Sequence, residues 1–199
     1  MMIFLLEVAF PPITKAGDSF EIFTGEGLQN YPAAAWNANL RKYLAVWYNH
    51  HEPGIYGVRL DPDGNPDGEP FEIASIENSG SANHAPSIAC NPGKDQCLVT
   101  WQDDTSSSLS TDIYAALVSF DETTPTKLNI PKIKEKQLFP KVAWNGEQFL
   151  IVWYDFRNGA YDPPDMESAD IYGIRLDPNG KVLDPDSLAI CTDDLGQVD

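Results

Sequence analysis

The chain of 199 residues repeats one sequence pattern three times. Each copy starts with a proline, continues with a short, mostly apolar stretch and ends in asparagine, at 32–37, 86–91 and 140–145. The prolines of successive copies are 54 residues apart both times. Self-similarity at a fixed period of about 50 residues predicts a solenoid, a propeller or another repeat array.

Each copy contains four short segments whose composition is typical of β-strands. The second segment is rich in β-branched and aromatic residues and ends in tryptophan, at Trp47, Trp101 and Trp153. Asn, Gly and Pro residues between the segments favour tight turns, and no segment has a helical period. Four short antiparallel strands per repeat predict a β-propeller blade, with a β-sandwich as the alternative. We expect the three tryptophans to pack between blades and, at strand ends, to be partly exposed.

The segment before the first copy resembles the second half of a copy. Residues 3–10 align with residues 113–120, and residues 20–22 align with residues 71–73. The sequence therefore predicts an all-β, propeller-like single repeat domain over residues 1–199 with about three and a half blades. The predicted parts are a half blade at 1–30 and blades at 31–84, 85–138 and 139–199.

Three and a half blades are too few to close a propeller ring. Propellers typically close with four to eight blades, and an open ring leaves sheet faces exposed. We therefore expect self-association that completes the propeller. A fragment of a longer array and a distorted four-bladed ring are the alternatives.

The composition narrows the classes of partner. The formal net charge is -17, from 13 basic and 30 acidic residues. Such a charge disfavours nucleic acids and anionic membranes, and no apolar run reaches the roughly 18 residues of a membrane span. The first ten residues lack the basic segment and cleavage site of a signal peptide. We expect an extracellular or periplasmic protein nonetheless, because of the cysteine pair described below.

Three motifs of the third copy resemble repeats of large secreted bacterial β-propeller proteins. They are Pro-Lys-Val-Ala-Trp-Asn-Gly at 140–146, Phe-Leu-Ile-Val-Trp-Tyr-Asp at 149–155 and Asp-Ile-Tyr-Gly-Ile-Arg at 170–175. More distantly, the repeat resembles the blades of TolB-like and sialidase-like propellers. The resemblance covers nearly the whole chain and implies a propeller fold. Blades of that group serve in binding, adhesion or, with added catalytic residues, glycan cleavage. The sialidase Asp-box motif is absent from the sequence, so no enzymatic activity follows from the resemblance.

The connection between the second and third strands varies in length from copy to copy. The spacing from its tryptophan to the following tyrosine is 9, 13 and 19 residues. In a propeller this connection lies on the same face as the entry to the next blade, and variable loops on a rigid scaffold often carry function. Free surface is the alternative explanation. No residue is singled out as catalytic, and the candidate binding residues are Tyr48, His50, His51, His84, Asp103, Asp104, Tyr154, Asp155, Arg157 and Tyr161.

All three histidines of the chain belong to this predicted face. Imidazole and carboxylate groups together can bind zinc or a similar ion. Histidines in surface loops are also common, and the tight spacing of known zinc motifs is missing. We therefore predict no cofactor, and a divalent metal at His50, His51 and His84 is the alternative.

Two cysteines replace an aromatic pair of the repeat. Cys90 and Cys97 stand where the third copy has Trp144 and Phe149, which should face each other across a hairpin. A disulfide fits there if the Cα atoms lie within about 6.8 Å, and it would indicate an oxidising compartment. Two buried, reduced thiols are the alternative. Cys191 has no obvious partner.

Together these observations favour a non-enzymatic β-propeller binding module whose variable loops bind a carbohydrate or protein ligand. A glycan-cleaving hydrolase or lyase is the first alternative, because propellers can bring two carboxylates together. Its candidate carboxylates are Asp103, Asp104, Asp155 and Asp162. A structural segment of a longer propeller array, without a small-molecule site, is the second alternative.

Overall fold

The fold is all-β and propeller-like, as the repeat predicted. A computed structural model describes residues 22–23, 25–76, 84–104, 111–122, 124–133, 135–158 and 169–192. These residues form three antiparallel sheets of four strands, and each sheet uses four consecutive strands in chain order. The half blade predicted at 1–30 lies mostly outside the described residues, as does Tyr161.

The three sheets are called blades 1, 2 and 3. Blade 1 contains β1 (Gln29–Asn37), β2 (Lys42–Asn49), β3 (Gly54–Leu60) and β4 (Phe71–Ser75). Blade 2 contains β5 (Ser87–Asn91), β6 (Gln96–Asp104), β7 (Thr111–Ser119) and β8 (Thr126–Leu128), with a short 3₁₀ turn at Pro92–Lys94. Blade 3 contains β9 (Gln137–Trp144), β10 (Phe149–Asp155), β11 (Asp170–Leu176) and β12 (Leu188–Cys191).

The first hairpin of each blade uses the same turn chemistry. The side-chain oxygen of Asn37 accepts hydrogen bonds from the backbone N–H groups of residues 39 and 40. Asn91 and Asn145 accept equivalent bonds from the residues that follow them. These Asx turns fix the hairpin and therefore the register of the two strands beside it.

The core lies between neighbouring blades. One cluster joins blade 1 to blade 2, and a second joins blade 2 to blade 3. The strand-end tryptophans Trp47, Trp101 and Trp153 are 6%, 3% and 2% exposed. The expectation that they would be partly exposed was wrong. Trp101 and Trp153 pack in the clusters between blades, whereas Trp47 belongs to a cluster within blade 1 and is covered by the ring of Phe23.

The cysteine pair lies where the other blades have aromatic pairs. Cys90 is the direct cross-strand neighbour of Cys97, with a Cα–Cα distance of 3.9 Å, and the structure joins them in a disulfide. In blade 3 the rings of Trp144 and Phe149 are in contact at the same place, with centroids 4.5 Å apart. Cys191 is free and exposed. Among the described residues, no helix has the length and apolar character needed to cross a bilayer.

Candidate functional site

A pair of carboxylates recurs at one end of blades 2 and 3. Asp103 at the end of β6 lies directly opposite Asp112 at the start of β7. In blade 3 the same positions hold Asp155 and Asp170, which are also direct cross-strand neighbours. Both pairs lie where the variable connection leaves the blade, so the sheet register places two acids side by side in each of these blades.

The blade 2 pair contains a buried acid. Asp112 is 2% exposed. The Nζ atom of Lys132 lies 3.4 Å from its Oδ2 atom, and the same ammonium lies over the ring of Tyr114. Burial raises the pKa of Asp112 above its usual value, and the charge of Lys132 only partly offsets this effect. The environment therefore favours the protonated form of this carboxyl.

The second acid of the pair is more accessible. The side chain of Asp103 is 16% exposed, and its Oδ1 atom lies 3.9 Å from Nδ1 of His84. Its neighbour Asp104 accepts a hydrogen bond of 2.7 Å from the hydroxyl of Thr111. The two acids at the end of β6 therefore have different surroundings, one beside an imidazole and the other beside a hydroxyl.

His84 is a buried histidine at the entry to blade 2. It is 1% exposed, and its Nδ1 atom lies 3.1 Å from the backbone oxygen of Gln102. Because a carbonyl only accepts hydrogen bonds, Nδ1 carries the proton and Nε2 is left as the acceptor nitrogen. Burial lowers the pKa of His84, and the bond to Gln102 and the charge of Asp104 oppose this shift only in part. The imidazole is therefore neutral at pH 7.

Tyr48 lies between two histidines. Its ring centroid is 4.7 Å from that of His84 and 5.0 Å from that of His50. Burial, together with the charge of Asp103, raises the pKa of the Tyr48 hydroxyl. The site at the junction of blades 1 and 2 thus contains a neutral imidazole, a phenol and two carboxyl groups.

In blade 3, one of the two acids forms a closed ion pair with an arginine. Asp155 is fully buried and accepts two hydrogen bonds of 2.8 Å from the Arg157 guanidinium and one from the indole N–H of Trp153. Burial alone would raise the pKa of Asp155, but these bonds outweigh it and hold the pKa below its usual value. Asp170 accepts a hydrogen bond from the amide of Asn158. Because the guanidinium of Arg157 already donates two hydrogen bonds to Asp155, it is bound within the blade.

Several predicted binding residues lie elsewhere than the sequence suggested. Tyr48 and Tyr154 belong to strands β2 and β10 rather than to loops, and Tyr154 is 40% exposed on the side of blade 3 that faces away from blade 2. The Nε2 atom of His51 lies 3.5 Å from the Oε2 atom of Glu26, at an exposed site. Within the described part of the chain, no group of three or more His, Cys, Asp or Glu side chains could hold a metal ion.

A cavity of about 300 Å³ lies where the first strands of the three blades meet. The cavity adjoins the group of side chains around His84, because the next residue, Ala85, lines it. None of the lining residues carries a carboxylate, and most of them have small side chains. The lining residues are Tyr31, Pro32, Ala33, Ala34, Ala85, Pro86, Ser87, Ile88 and Lys141.

Asp112 is the residue that the sequence interpretation missed. The available signal was its position before the Ile-Tyr motif, which Asp170 shares in the third copy. Aligning the two copies and pairing the strands as antiparallel neighbours would have placed Asp112 opposite Asp103.

Three solved structures that resemble this chain are named as an arabinofuranosidase or an arabinanase. An alpha-L-arabinofuranosidase from Lactobacillus brevis superimposes with a TM-score of 0.51 at 12% identity, over 82% of this chain and 57% of that one. A GH43 endo-arabinanase from Bacillus licheniformis and a native arabinanase from Bacillus subtilis each give a TM-score of 0.46 at 18% identity. Both cover 80% of this chain and 58% of the other. The chain thus spans less than two thirds of the length of these proteins.

By sequence, no protein-family profile and no curated protein matches the chain. At these identities the structural likeness shows a shared fold.

The prediction of a non-enzymatic binding module is contradicted by this comparison. The structure that shares the fold, with a TM-score of 0.51, is named as an alpha-L-arabinofuranosidase, which is a glycan-cleaving enzyme. The physical reason for the error is that Asp103 and Asp112 lie nine residues apart in the sequence. They become neighbours only through the pairing of β6 with β7.

Proposed function

We propose that this chain forms part of a glycan-cleaving hydrolase whose reacting carboxyl groups are Asp103 and Asp112. The observation that carries the proposal is the cross-strand acid pair of blade 2, in which one member is buried with a raised pKa. Hydrolysis of a glycosidic bond needs one protonated and one ionised carboxyl group on either side of the bond. Two acids in different environments meet this requirement.

Asp112 acts as the proton donor in this proposal. Its burial keeps the proton on the carboxyl at a pH where exposed acids are ionised. Such a group can protonate the oxygen of the departing sugar, which makes that oxygen a better leaving group. Lys132, at 3.4 Å, limits how far the pKa rises and keeps the proton transferable.

Asp103 acts as the ionised partner. Directly opposite residues of an antiparallel sheet have Cβ atoms about 4.5–5.5 Å apart. This Cβ range overlaps the separation of about 5–5.5 Å between the two carboxyl groups of retaining glycosidases. The imidazole of His84 lies 3.9 Å from Asp103. Because this imidazole is neutral, it places a polar group beside the carboxylate without a positive charge.

Blade 3 provides an internal comparison for this assignment. Its acid pair has the same register, but Asp155 is closed off by two bonds from Arg157 and has a lowered pKa. A closed ion pair serves the structure of the blade and leaves no acid available for proton transfer. The two pairs therefore divide into a structural pair and a reactive pair.

The first substrates to assay are arabinose-containing glycans, because the alpha-L-arabinofuranosidase shares the fold. Release of reducing sugar from a polysaccharide panel would be measured for the chain and for Asp112→Asn and Asp103→Asn. We expect each substitution to lower the rate at least 100-fold, which is the scale of general acid–base catalysis. Asp170→Asn, in the closed pair, is the matched control and should keep most of the activity.

Two results would count against the proposal. The first is a folded protein with no turnover on any glycan of the panel. The second is equal activity loss in Asp112→Asn and Asp170→Asn, which would point to a general effect on the sheets. Circular dichroism of each variant separates loss of fold from loss of chemistry.

We also propose an extracellular or periplasmic location. The proposal is supported by the disulfide between Cys90 and Cys97, because such bonds persist in oxidising compartments. Fractionation of the native host with an antibody against the chain tests it. Recovery in the cytoplasmic fraction alone would overturn it.

A further inference from the structure

The exposed apolar surface of the chain is concentrated at its two terminal blades. Within the part of the chain that the structure describes, none of the large exposed apolar side chains belongs to blade 2. One set lies in blade 1 or just before it, and the other lies in blade 3. The first set is Ile22, Phe23, Leu28, Tyr31 and Trp36, and the second is Leu150, Tyr154, Leu183, Leu188 and Ile190.

The outer face of blade 3 repeats a surface that is buried in the other blades. Along β10, Leu150 and Tyr154 point away from blade 2 and are 36% and 40% exposed. The equivalent residues of blade 1, Leu44 and Tyr48, pack against blade 2 and are each 1% exposed. The outer face of blade 3 therefore has the shape and chemistry of a face on which another blade packs.

The opposite end of the described chain is covered only in part. The ring of Phe23 stacks on Trp47 of blade 1, with centroids 5.2 Å apart. Phe23 itself remains 37% exposed, and Leu28 is 59% exposed. The segment that covers blade 1 thus presents an apolar surface of its own.

We propose that two copies of this chain form a dimer in which blade 3 of each copy contacts the first described segment of the other. The outer face of blade 3 in one copy packs on the surface around Phe23 and Leu28 of the other copy. A second identical contact closes the pair. Because each contact joins blade 3 of one copy to the Phe23 surface of the other, the closed pair has two-fold symmetry.

A second copy fits both exposed surfaces better than an unrelated partner does. Each copy carries both surfaces, so a closed pair covers all four at once. A separate partner on blade 3 would leave Phe23 and Leu28 exposed to water. The three described blades of two copies give six blades, within the range of four to eight in which propellers close. The inference stands independently of the proposed hydrolase activity.

The test is the molar mass in solution, measured by size-exclusion chromatography with light scattering. We expect twice the 22.0 kDa mass of the chain. Leu150→Glu on blade 3 and Phe23→Glu at the other end should each give a monomer, because a charge would be buried in both contacts. Thr126→Glu, on an exposed position of blade 2, is the matched control and should remain a dimer.

A mixture of the two monomeric variants tests the head-to-tail geometry. Mixing Leu150→Glu with Phe23→Glu leaves one contact without a substitution, so we expect a dimer to reappear at higher concentration. Ile190→Glu, on the exposed edge strand β12, provides a second blade 3 variant if Leu150→Glu loses its fold by circular dichroism.

Three outcomes would overturn the proposal. The unsubstituted chain could be a monomer at all concentrations, or its mass could grow with concentration beyond a dimer. Phe23→Glu could also remain a dimer while Leu150→Glu does not, which would mean that blade 3 packs on itself.

Discussion

Tyr48 and His84 are in ring contact, with centroids 4.7 Å apart, and each is 1% exposed. The hydroxyl of Tyr48 and the Nε2 atom of His84 have no hydrogen-bond partner within the described part of the chain. Burying a polar group in this way costs about 1–3 kcal/mol. Local costs of this kind are found where a protein keeps groups for function rather than for stability.

The first prediction concerns the Tyr48 hydroxyl. Tyr48→Phe keeps the ring contact and removes the buried polar atom, so the free energy of unfolding should rise by about 1 kcal/mol. Tyr172→Phe is the control, because the Tyr172 hydroxyl accepts a hydrogen bond from Asn158 and its loss should lower stability. Urea unfolding of both variants measures the difference. A loss of stability in Tyr48→Phe would show that its hydroxyl is bonded in solution.

The second prediction concerns the pH dependence that Asp112 creates. Because burial raises its pKa, the folded state binds the proton at a higher pH than the unfolded state. Stability therefore falls as the pH rises from the usual value of 3.8 through the raised pKa. Asp112→Asn removes this loss, so the variant should exceed the unsubstituted chain in stability at pH 7 but not below pH 3.8.

Lys132→Met provides the companion test. Removing the ammonium that lowers the pKa of Asp112 should reduce stability more at pH 7 than in acid, where only its contacts with Tyr114 are lost. Thermal unfolding at both pH values measures the effect. Equal shifts at pH 7 and in acid would contradict the assignment of a raised pKa.

The repeat made much of the fold predictable. Aligning the three copies gives the four strands of each blade, because turn residues and β-branched runs recur in a fixed order. The same alignment places Cys90 opposite Cys97, since Trp144 and Phe149 hold those positions in blade 3. Register in a hairpin follows from the turn and from which face is buried, and both are visible in a repeated sequence.

The exposure of individual side chains was not predictable in the same way. Tyr48 and Tyr154 occupy one position of the repeat, yet they are 1% and 40% exposed. The difference arises because Tyr48 packs against blade 2, whereas none of the described blades follows blade 3, and this depends on tertiary position. The carboxylate pairs were missed for a related reason, since Asp103 and Asp112 are nine residues apart and meet only through the sheet register.

The third prediction concerns the disulfide. Replacing Cys90 and Cys97 with alanine removes a link across seven residues and should lower the free energy of unfolding by about 2–3 kcal/mol. Urea unfolding with and without reductant measures the loss. The control is Cys191→Ser at an exposed site, which should leave stability unchanged.

A thiol count provides an independent check of the same bond. The denatured chain, without reductant, should react with a thiol reagent at Cys191 alone. Reaction at all three cysteines would contradict the disulfide.

The last prediction concerns the ion pair of Asp155 and Arg157. Arg157→Ala leaves a fully buried carboxylate without its guanidinium and should cost about 3–5 kcal/mol. Arg175→Ala is the matched control, because its partner Asp184 forms the same type of fork at a more exposed site, and its loss should be much smaller. Urea unfolding at pH 7 compares the two variants.

Acid unfolding separates this ion pair from simple packing. Since the pKa of Asp155 is held below its usual value of 3.8, the pair stabilises the fold above that pH. The contribution disappears as the pH falls through the lowered pKa. The gap between Arg157→Ala and the unsubstituted chain should therefore shrink in acid. A gap of constant size would mean that Arg157 acts mainly through its contact with the Tyr172 ring, at 3.8 Å, rather than through its charge.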